Sequence, residues 1–433
     1  MKIIIHRGTK EIGGTCIELK SKNTTILLDF GLPLVYKGEE FDSSKYKNES
    51  VESLKALKIL PDIQGIYKGD SQNNTVSAIV LSHSHLDHYG LLDKLKPEIP
   101  IYLSAGAKKM IEVSSIFTQL RVDLENPKVI KAKQEFTIGD FKIIPYAVGH
   151  SAFNALAFYI EAEGIKIFYT GDFRMHGRTI GDIELISKKH HNEIDYLIME
   201  GTMFGRDAPF RKDEDYVKNK ALSLMKKTEG LVLLMFSPQN IDRLVSLFKA
   251  TASAKRRFVV DIYTAYLLDN IKDMAKTPNS AWGNVKVFHP EKQSKRLWIK
   301  GEKDILEKYR TKNVKLDYIQ AYQSELSVLF RNSMIPDFEN ISNSKKGLLI
   351  YSMYEGYLKQ PGFKKLDVFL EKKNIVREIV HVSGHAYIGD LKKFADDLVP
   401  KQIIPIHTFH PEQYRELFGD KIKEIEDGKA VEL

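Results

Sequence analysis

Residues 81–90, LSHSHLDHYG, decide how the rest of the chain is interpreted. The apolar run 76–81 predicts a strand, and the apolar segment that follows the stretch predicts a helix. The junction holds four ionisable side chains within six positions: His83, His85, Asp87 and His88. Neutral imidazoles and a carboxylate form the ligand set of zinc, and clustering them without a cation would be costly. The alternating histidines suit one ion and the last two side chains suit a second, so the stretch predicts a two-metal site.

Isolated histidines elsewhere in the chain carry less information. A lone histidine is more often a surface residue or a satisfied core group than a metal ligand, and this plainer interpretation fits five of them: His176, His190, His191, His289 and His410. It does not fit four ionisable residues that follow a strand so closely, although short motifs do produce false matches.

The composition is that of a globular protein. The chain has 433 residues, too many for one ordinary core, so we expect two domains. We find no apolar run that could span a bilayer, and the N-terminus lacks a signal pattern, so no membrane partner is expected. Cys16 is the one cysteine, which excludes an internal disulfide and indicates a reducing cytoplasm.

The positive charge is concentrated in the middle of the chain. Residues 206–362 contain 28 Lys and Arg against 18 Asp and Glu, whereas the remainder contains 37 against 39. Charge runs are usually solvated surface, but an excess confined to one segment favours a polyanionic partner. Within it, residues 292–300 interleave cations with Trp298. This stretch is either a nucleic-acid contact or, as is more common, a surface helix whose tryptophan packs inward.

Polar residues end or follow successive predicted strands. They include, besides the cluster, Asp29, His150, Asp172, Glu200, His385 and His407. Alternating strands and helices with polar residues at the strand ends predict a layered α/β fold, with a site along one sheet edge. After Gly205 the strand–helix repetition predicts a second domain with a parallel sheet.

These residues together resemble the metallo-β-lactamase superfamily. HSHLDH, residues 83–88, matches that family's HxHxDH motif residue for residue. The resemblance implies an αββα sandwich and two zinc ions, with manganese or magnesium as alternatives. Carried over, the ligands of one ion are His83, His85 and His150, those of the other are Asp87, His88 and His407, and Asp172 bridges them. Asp29 matches the first family motif, which usually supports the metal loop.

The spacing resembles the β-CASP nucleases within that family. Asp172 and His407 are 235 positions apart, so a domain must be inserted between them, where this group has a cap that closes over the metals. We expect a first metallo-β-lactamase part over 1–205, an α/β β-CASP cap over 206–362 and a second metallo-β-lactamase part over 363–433. The motifs TKEIGGTCIEL, GDFRMHG and HVSGHA make the chain most similar to the ribonuclease J group.

The chain departs from that group in two features. Only 26 residues follow His407, so we expect the group's C-terminal assembly domain to be lacking. Thr408 and Phe409 stand where the group usually has Gly-Glu after the last histidine. Both departures concern assembly and substrate handling, and a homodimer stays compatible with the sequence.

The resemblance implies two-metal hydrolysis of phosphodiester bonds. Asp87 is the candidate for accepting or orienting the proton of the attacking water. His385 is expected to protonate the leaving group or to bind the scissile phosphate. Glu200 would orient His385, unless it is a helix-capping or salt-bridging carboxylate. Ser383 and Gly384 either cradle that phosphate together with His385 or form a plain tight turn.

Single-stranded RNA is the expected substrate. DNA-acting β-CASP enzymes typically lack the last histidine, which this chain keeps as His407. A DNA nuclease of the same group is the first alternative. A small-molecule hydrolase fits the basic segment poorly, and a non-catalytic binding subunit fits the intact ligand positions poorly. The sequence leaves open whether cleavage is endonucleolytic or proceeds from the 5′ end.

Overall fold

Twenty-one strands and thirteen α-helices form in the residues that the computed structural model describes, namely 1–46, 49–206, 210–343 and 345–433. The strands are β1 (Lys2–Arg7), β2 (Cys16–Ser21), β3 (Thr24–Leu28), β4 (Val35–Tyr36), β5 (Glu39–Glu40), β6 (Ala78–Val80), β7 (Ile101–Ser104), β8 (Pro127–Ile130), β9 (Phe136–Ile138), β10 (Phe141–Ala147), β11 (Leu156–Ala162), β12 (Ile165–Tyr169), β13 (Tyr196–Glu200), β14 (Val232–Met235), β15 (Arg257–Asp261), β16 (Val285–Phe288), β17 (Leu326–Leu329), β18 (Gly347–Tyr351), β19 (Ile375–Ile379), β20 (Gln402–Ile406) and β21 (Ala430–Glu432). The α-helices are α1 (Val51–Ala56), α2 (Leu86–Tyr89), α3 (Ala105–Phe117), α4 (Ile183–Lys189), α5 (Glu214–Lys227), α6 (Ile241–Ser253), α7 (Ile262–Ile271), α8 (Glu291–Ile299), α9 (Lys303–Lys308), α10 (Leu316–Ala321), α11 (Lys364–Lys372), α12 (Ile388–Leu398) and α13 (Glu412–Phe418).

The chain divides into two units, of which unit 1 comprises Met1–Ser115, Gln119–Arg211 and Gly384–Leu433. It holds two sheets, in the orders β21-β1-β2-β3-β6-β7-β8 and β20-β13-β12-β11-β10-β9. Within each sheet, antiparallel hairpins adjoin parallel strand pairs. A separate short hairpin pairs β4 with β5.

The two sheets of unit 1 pack face to face. Side chains from both sheets share one core, including Ile26 and Leu28 of β3 and Ile198 of β13. The intervening Leu27 points the other way, into a cluster with α1, α2 and α3, while Leu197 joins a cluster with α4, α12 and α13. Strands buried on both faces are apolar throughout rather than alternating, which explains their continuous apolar runs. Unit 1 is therefore the expected αββα sandwich.

Strand direction places polar residues together at the strand ends. In the parallel pair β13 and β20, Glu200 lies opposite Ile406, so His407 follows directly beside it. In the parallel pair β3 and β6, Asp29 continues the ladder by donating its backbone N–H to the Val80 carbonyl at 3.0 Å. The carboxyl ends of parallel neighbours meet at one sheet edge, and these ends carry the site residues.

Unit 2 comprises Ile116–Thr118 and Lys212–Ser383 and forms an α/β domain. Its six strands are all parallel, in the order β16-β15-β17-β14-β18-β19. Helices α5, α6 and α7 each begin after an N-cap residue whose side chain accepts a hydrogen bond from a backbone N–H of the first turn. These N-cap residues are Asp213, Asn240 and Asp261. The parallel-sheet domain expected after Gly205 is present.

Unit 2 ends later than the boundary predicted after residue 362. The pairing of β19 with β18 runs in parallel from Gly347 opposite Ile375 to Tyr351 opposite Ile379. Residues 364–379 thus complete the sheet of unit 2, and the unit begins at Lys212 instead of 206. An apolar helix pattern does not reveal which sheet the helix covers. The boundary predicted from the sequence therefore placed this segment in the sandwich.

Among the described residues, no helix combines the length and apolar character that crossing a bilayer requires.

A buried ion pair ties the elements of unit 2 together. The Arg243 and Glu214 side chains are 0% and 2% exposed, with Nη2 and Oε1 3.0 Å apart. Arg243 also donates to the carbonyls of Ser352 at 2.9 Å and Val382 at 3.0 Å, and Ser246 Oγ donates to Glu214. The guanidinium therefore links α5 and α6 with the segments after β18 and β19.

Replacing Arg243 with methionine should destabilise the protein strongly. The substitution leaves the Glu214 carboxylate buried without its cation, which typically costs about 3–5 kcal/mol. Urea unfolding followed by circular dichroism measures the loss. Lys345→Met is the matched control, because its partner Glu229 is 74% exposed and Lys345 itself 59%, and it should leave the midpoint unchanged. Equal midpoints for the two variants would contradict this assignment.

Candidate metal centre

The cluster of the HSHLDH stretch forms at the junction of β6 and α2. β6 ends at Val80, and α2 begins at Leu86, so the histidines of the loop and the first helical turn face the same region. His83 and His88 are fully buried, and Asp87 is 8% exposed. The strand predicted over 76–81 forms as β6, but α2 begins inside the stretch, and the apolar segment after it forms only a short 3-10 helix, Leu92–Lys94.

The remaining predicted residues reach the same place from other strand ends. His150 follows β10, Asp172 follows β12, Glu200 ends β13 and His407 follows β20, while His385 precedes α12. Among the described residues, three groups could hold a metal ion, each with ligand atoms within 4.8 Å of one another: His83, His85 and His150; Asp87, His88, Asp172 and His407; and Asp172, Glu200, His385 and His407. The first two groups coincide with the ligand sets that the family resemblance implied.

Asp172 belongs to the second group and also lies close to the first. Its Oδ2 atom is 3.2 Å from His88 Nε2, 3.7 Å from His83 Nε2 and 3.9 Å from His150 Nε2. Despite these approaches, the described part of the chain supplies no hydrogen bond to either Asp172 oxygen, to His83 Nε2 or to His88 Nε2. Buried polar atoms without partners are costly, and imidazole nitrogens around a carboxylate are the donor set of zinc. The residues present therefore fit a metal ion.

The outer nitrogens of four histidines are held by hydrogen bonds. His88 Nδ1 donates to Asp29 Oδ2 at 2.8 Å, and His150 Nδ1 donates to the Gly384 carbonyl at 2.7 Å. His83 Nδ1 pairs with Ser82 Oγ at 2.9 Å, and His407 Nδ1 pairs with Thr202 Oγ1 at 2.8 Å. With Nδ1 engaged in this way, Nε2 is the atom left for a metal.

Asp29 supports the metal loop through four hydrogen bonds. Its carboxylate accepts from the Ser82 backbone N–H and hydroxyl, both at 2.7 Å, and from the Tyr169 hydroxyl at 2.6 Å, besides His88 Nδ1. Its backbone φ is +59°, which is unfavourable for a residue with a Cβ. This strained backbone is held by the network around the side chain.

Burial and neighbouring charges set the protonation states. Burial holds the pKa of His83 and His150 well below the ordinary value and lowers that of His85 to about 4, so these imidazoles are neutral. Burial alone would raise the pKa of Asp87, but His88 and His407 outweigh it and bring it to about 2. The pKa of Asp172 is likewise held low by His407 and His88 against the effect of burial.

The pKa of His88 and that of His407 shift the other way. Burial disfavours the charged imidazole, but Asp172 lies beside both and raises the two pKa values above the ordinary value. A metal ion bound here would replace the protons on these two histidines, as metal binding to imidazole generally does.

Glu200 contacts His385 as the sequence predicted. Both Glu200 oxygens lie 3.2 Å from His385 Nδ1. The carboxylate is fully buried and also accepts backbone N–H groups of Phe173, Thr202 and Ala386, at 3.2, 3.1 and 3.4 Å. It ends a strand rather than capping a helix. Whether this contact serves catalysis stays a prediction.

The Ser383-Gly384 segment provides a carbonyl to the site. The Gly384 carbonyl orients His150, and a Cβ at Gly384 would lie 2.4 Å from Ser151 Oγ, so only glycine fits this approach. The phosphate-binding role of Ser383 and Gly384 stays a prediction.

Sequence reasoning missed three supporting residues: Ser82, Tyr169 and Thr202. Ser82 precedes His83, Tyr169 ends β12 and Thr202 follows Glu200 by two positions. Their nearness to predicted ligands was the available signal. Their side-chain directions depend on the packed strands and were not readable from spacing.

Two segments of the chain match models of known protein families. Residues 66–229 match the beta-lactamase superfamily domain. Residues 372–421 match the Zn-dependent metallo-hydrolase RNA specificity domain. The chain thus contains segments of the metallo-β-lactamase type, and it is similar to ribonuclease J proteins.

Similar proteins include ribonuclease J from two bacteria. Ribonuclease J of Sinorhizobium meliloti is 22% identical over 366 residues, which cover 81% of this chain and 60% of that protein. Ribonuclease J of Helicobacter pylori is 21% identical over 417 residues, covering 94% of this chain and 56% of that protein. The chain thus spans about three fifths of the length of these relatives.

A crystal structure of a protein of unknown function from Enterococcus faecalis shares the fold. It matches with a TM-score of 0.81 at 21% identity and covers 99% of each chain.

Replacing Thr202 with valine should weaken metal binding. Valine keeps the shape but loses the hydroxyl beside His407 Nδ1, and such outer contacts typically change metal affinity about 10–100-fold. Competition of the purified protein with a fluorescent zinc chelator measures the affinity. Thr202→Ser keeps the hydroxyl and should bind zinc like the unsubstituted protein. Equal affinity of the valine variant, with its thermal midpoint unchanged, would refute the role of Thr202.

Proposed function

We propose that this protein is a metal-dependent ribonuclease that hydrolyses phosphodiester bonds of RNA with two zinc ions. The observation that carries the proposal is Asp172, whose buried carboxylate lies between two imidazole groups without a hydrogen bond in the described residues. The match to an RNA specificity domain and the similarity to ribonuclease J support RNA as the substrate.

Two sets of residues would hold the ions. His83, His85 and His150 form the first set, and Asp87, His88, Asp172 and His407 form the second. Asp172 Oδ2 also lies 3.7 Å from His83 Nε2 and 3.9 Å from His150 Nε2 of the first set. A bound metal pair supplies a lowered pKa for the attacking water and neutralises the charge that develops on the phosphate. The carboxylates of the set also accept manganese or magnesium.

Asp87 accepts or orients the proton of the attacking water. Its Oδ2 atom lies 3.1 Å from His407 Nε2, which fixes the carboxylate direction.

His385 is the residue that meets the leaving group or the scissile phosphate. Its side chain is 18% exposed, whereas those of Asp172 and Glu200 beside it are 2% and 1% exposed. Glu200 engages Nδ1, which leaves Nε2 of the same ring for the substrate. An imidazole held by a carboxylate is suited to donating a proton to a leaving oxygen.

The distribution of charge supports a polyanionic substrate. Residues 206–362 carry 28 basic against 18 acidic side chains, while the rest of the chain is close to balance. Basic surface raises the local concentration of nucleic acid and makes binding dependent on salt. The retained His407 favours RNA over DNA within this family.

His83→Ala and His385→Ala should both strongly reduce cleavage of single-stranded RNA, for different reasons. His83→Ala removes a metal ligand, so bound zinc should fall together with activity. His385→Ala removes the proton donor and should slow cleavage about 10²–10⁴-fold with zinc content unchanged. Zinc content and hydrolysis of a labelled RNA are measured in parallel, with the exposed His191→Ala as control. Unchanged RNA cleavage by both variants would contradict the proposal.

The direction of cleavage can be read from one labelled substrate. RNA with a 5′ monophosphate or a 5′ triphosphate is incubated with the protein and the products are separated by size. Mononucleotides released only from the monophosphate form indicate action from the 5′ end, whereas internal fragments from both forms indicate endonucleolytic action.

A further inference from the structure

One face of α8 in unit 2 exposes a tryptophan next to basic side chains. Trp298 and Ile299 are 60% and 74% exposed. The preceding residue, Leu297, is fully buried on the other side of the helix. The helix is thus anchored through Leu297, and the tryptophan lies outside. The interpretation that this tryptophan packs inward is wrong for this helix.

The basic side chains lie on the same helix face. Residues three and four apart are neighbours on a helix, so Lys292 lies next to Lys295, and Lys295 lies next to Trp298 and Ile299. Both lysines are exposed, and no ion pair engages them among the described residues. Glu291 lies in the first turn of α8, where the positive end of the helix dipole stabilises its carboxylate.

A further cation comes from the next helix. Lys303 Nζ of α9 lies 3.8 Å from the centroid of the Trp298 ring. This cation–π contact holds the indole in place and puts a positive charge over one face of the ring. The remaining exposed part of the ring is a planar apolar surface.

The helix that carries this face is fixed in unit 2. Arg296 donates to the Phe117 carbonyl, and Lys300 Nζ donates to the carbonyls of Ile116 at 2.8 Å and Thr118 at 3.1 Å. A face on a fixed helix loses little conformational entropy when a ligand binds.

We propose that this face, formed by Lys292, Lys295, Trp298, Ile299 and Lys303, binds single-stranded RNA. A base stacks on the Trp298 ring, and the adjoining phosphates contact the lysines, the combination that proteins use for single-stranded nucleic acid. Two apolar side chains among cations are too small a patch for a stable interface between two copies, which buries about 800 Å² on each. The choice of RNA over DNA rests on the proposed function.

Fluorescence of Trp298 tests the contact directly. The chain has two tryptophans, so Trp282→Phe leaves Trp298 as the sole one. The probe is a 12-nucleotide 2′-O-methyl oligoadenylate, which resists cleavage, and its binding is followed in parallel by anisotropy of a terminal dye. Saturable quenching of Trp298 that weakens with salt is expected. Binding by anisotropy without any change in Trp298 emission would overturn the proposal.

Two further outcomes of the same titration would also overturn it. Heparin, a polyanion without bases, should compete with the oligonucleotide but leave Trp298 unquenched. Equal quenching by heparin would show a contact by charge alone. Quenching that grows with protein concentration without RNA, together with dimers in sedimentation velocity, would assign the face to self-association.

Substitution at Trp298 separates this surface from the catalytic site. Trp298→Ala should weaken oligonucleotide binding by about five- to tenfold, the loss of one stacked base, while Trp298→Phe retains most of it. Cleavage of a dinucleotide should proceed normally in Trp298→Ala, whereas KM for a 12-nucleotide RNA rises by a similar factor. Val368→Ala, at a side chain 66% exposed on α11, is the control. Unchanged binding and KM in Trp298→Ala would overturn the proposal.

The failure of the proposed function would have a different signature. A protein that cleaves no RNA but whose Trp298 is quenched by the oligonucleotide and not by heparin would retain this surface without being a ribonuclease.

Discussion

The buried carboxylate of Asp172 is the constraint on which the site depends. Among the described residues, five imidazole nitrogens lie within 3.9 Å of its oxygens, and none of them forms a hydrogen bond with it. A carboxylate moved out of water carries a penalty of several kcal/mol unless a cation or hydrogen bonds compensate for it. The packing of the two sheets keeps water away from Asp172, and a bound metal ion would compensate for this loss of hydration.

The ends of the strands supply the candidate metal ligands around Asp172. Parallel pairing delivers Asp29, Asp172, Glu200 and His407 to one region, and the β6–α2 junction adds the HSHLDH cluster. Two of these residues, Asp29 and His407, have φ values of +59° and +54°. Such backbone strain persists only where surrounding contacts hold it, and here the hydrogen bonds to Asp29 and to His407 Nδ1 provide those contacts.

Sequence predicts those parts of this molecule that follow from local pattern. Strands buried on both faces, such as β13, are apolar up to a polar last residue, so the position of Glu200 at a strand end was predictable. The domain end was misplaced because helix α11 gives no sign that β19 pairs with β18. Thr202 and the Gly384 carbonyl act on histidines 205 and 234 positions away, and only the folded chain shows such contacts. The exposure of Trp298 likewise depends on which face of α8 carries Leu297 inward.

The metal content of the purified protein tests the central claim most directly. Elemental analysis after dialysis against trace zinc should give two ions per chain, and Asp172→Asn, which lowers the charge shared by both groups, should give fewer than one. A folded protein that binds no metal, or one in which Asp172→Asn keeps both ions, would contradict the account, because the buried carboxylate would then need another explanation.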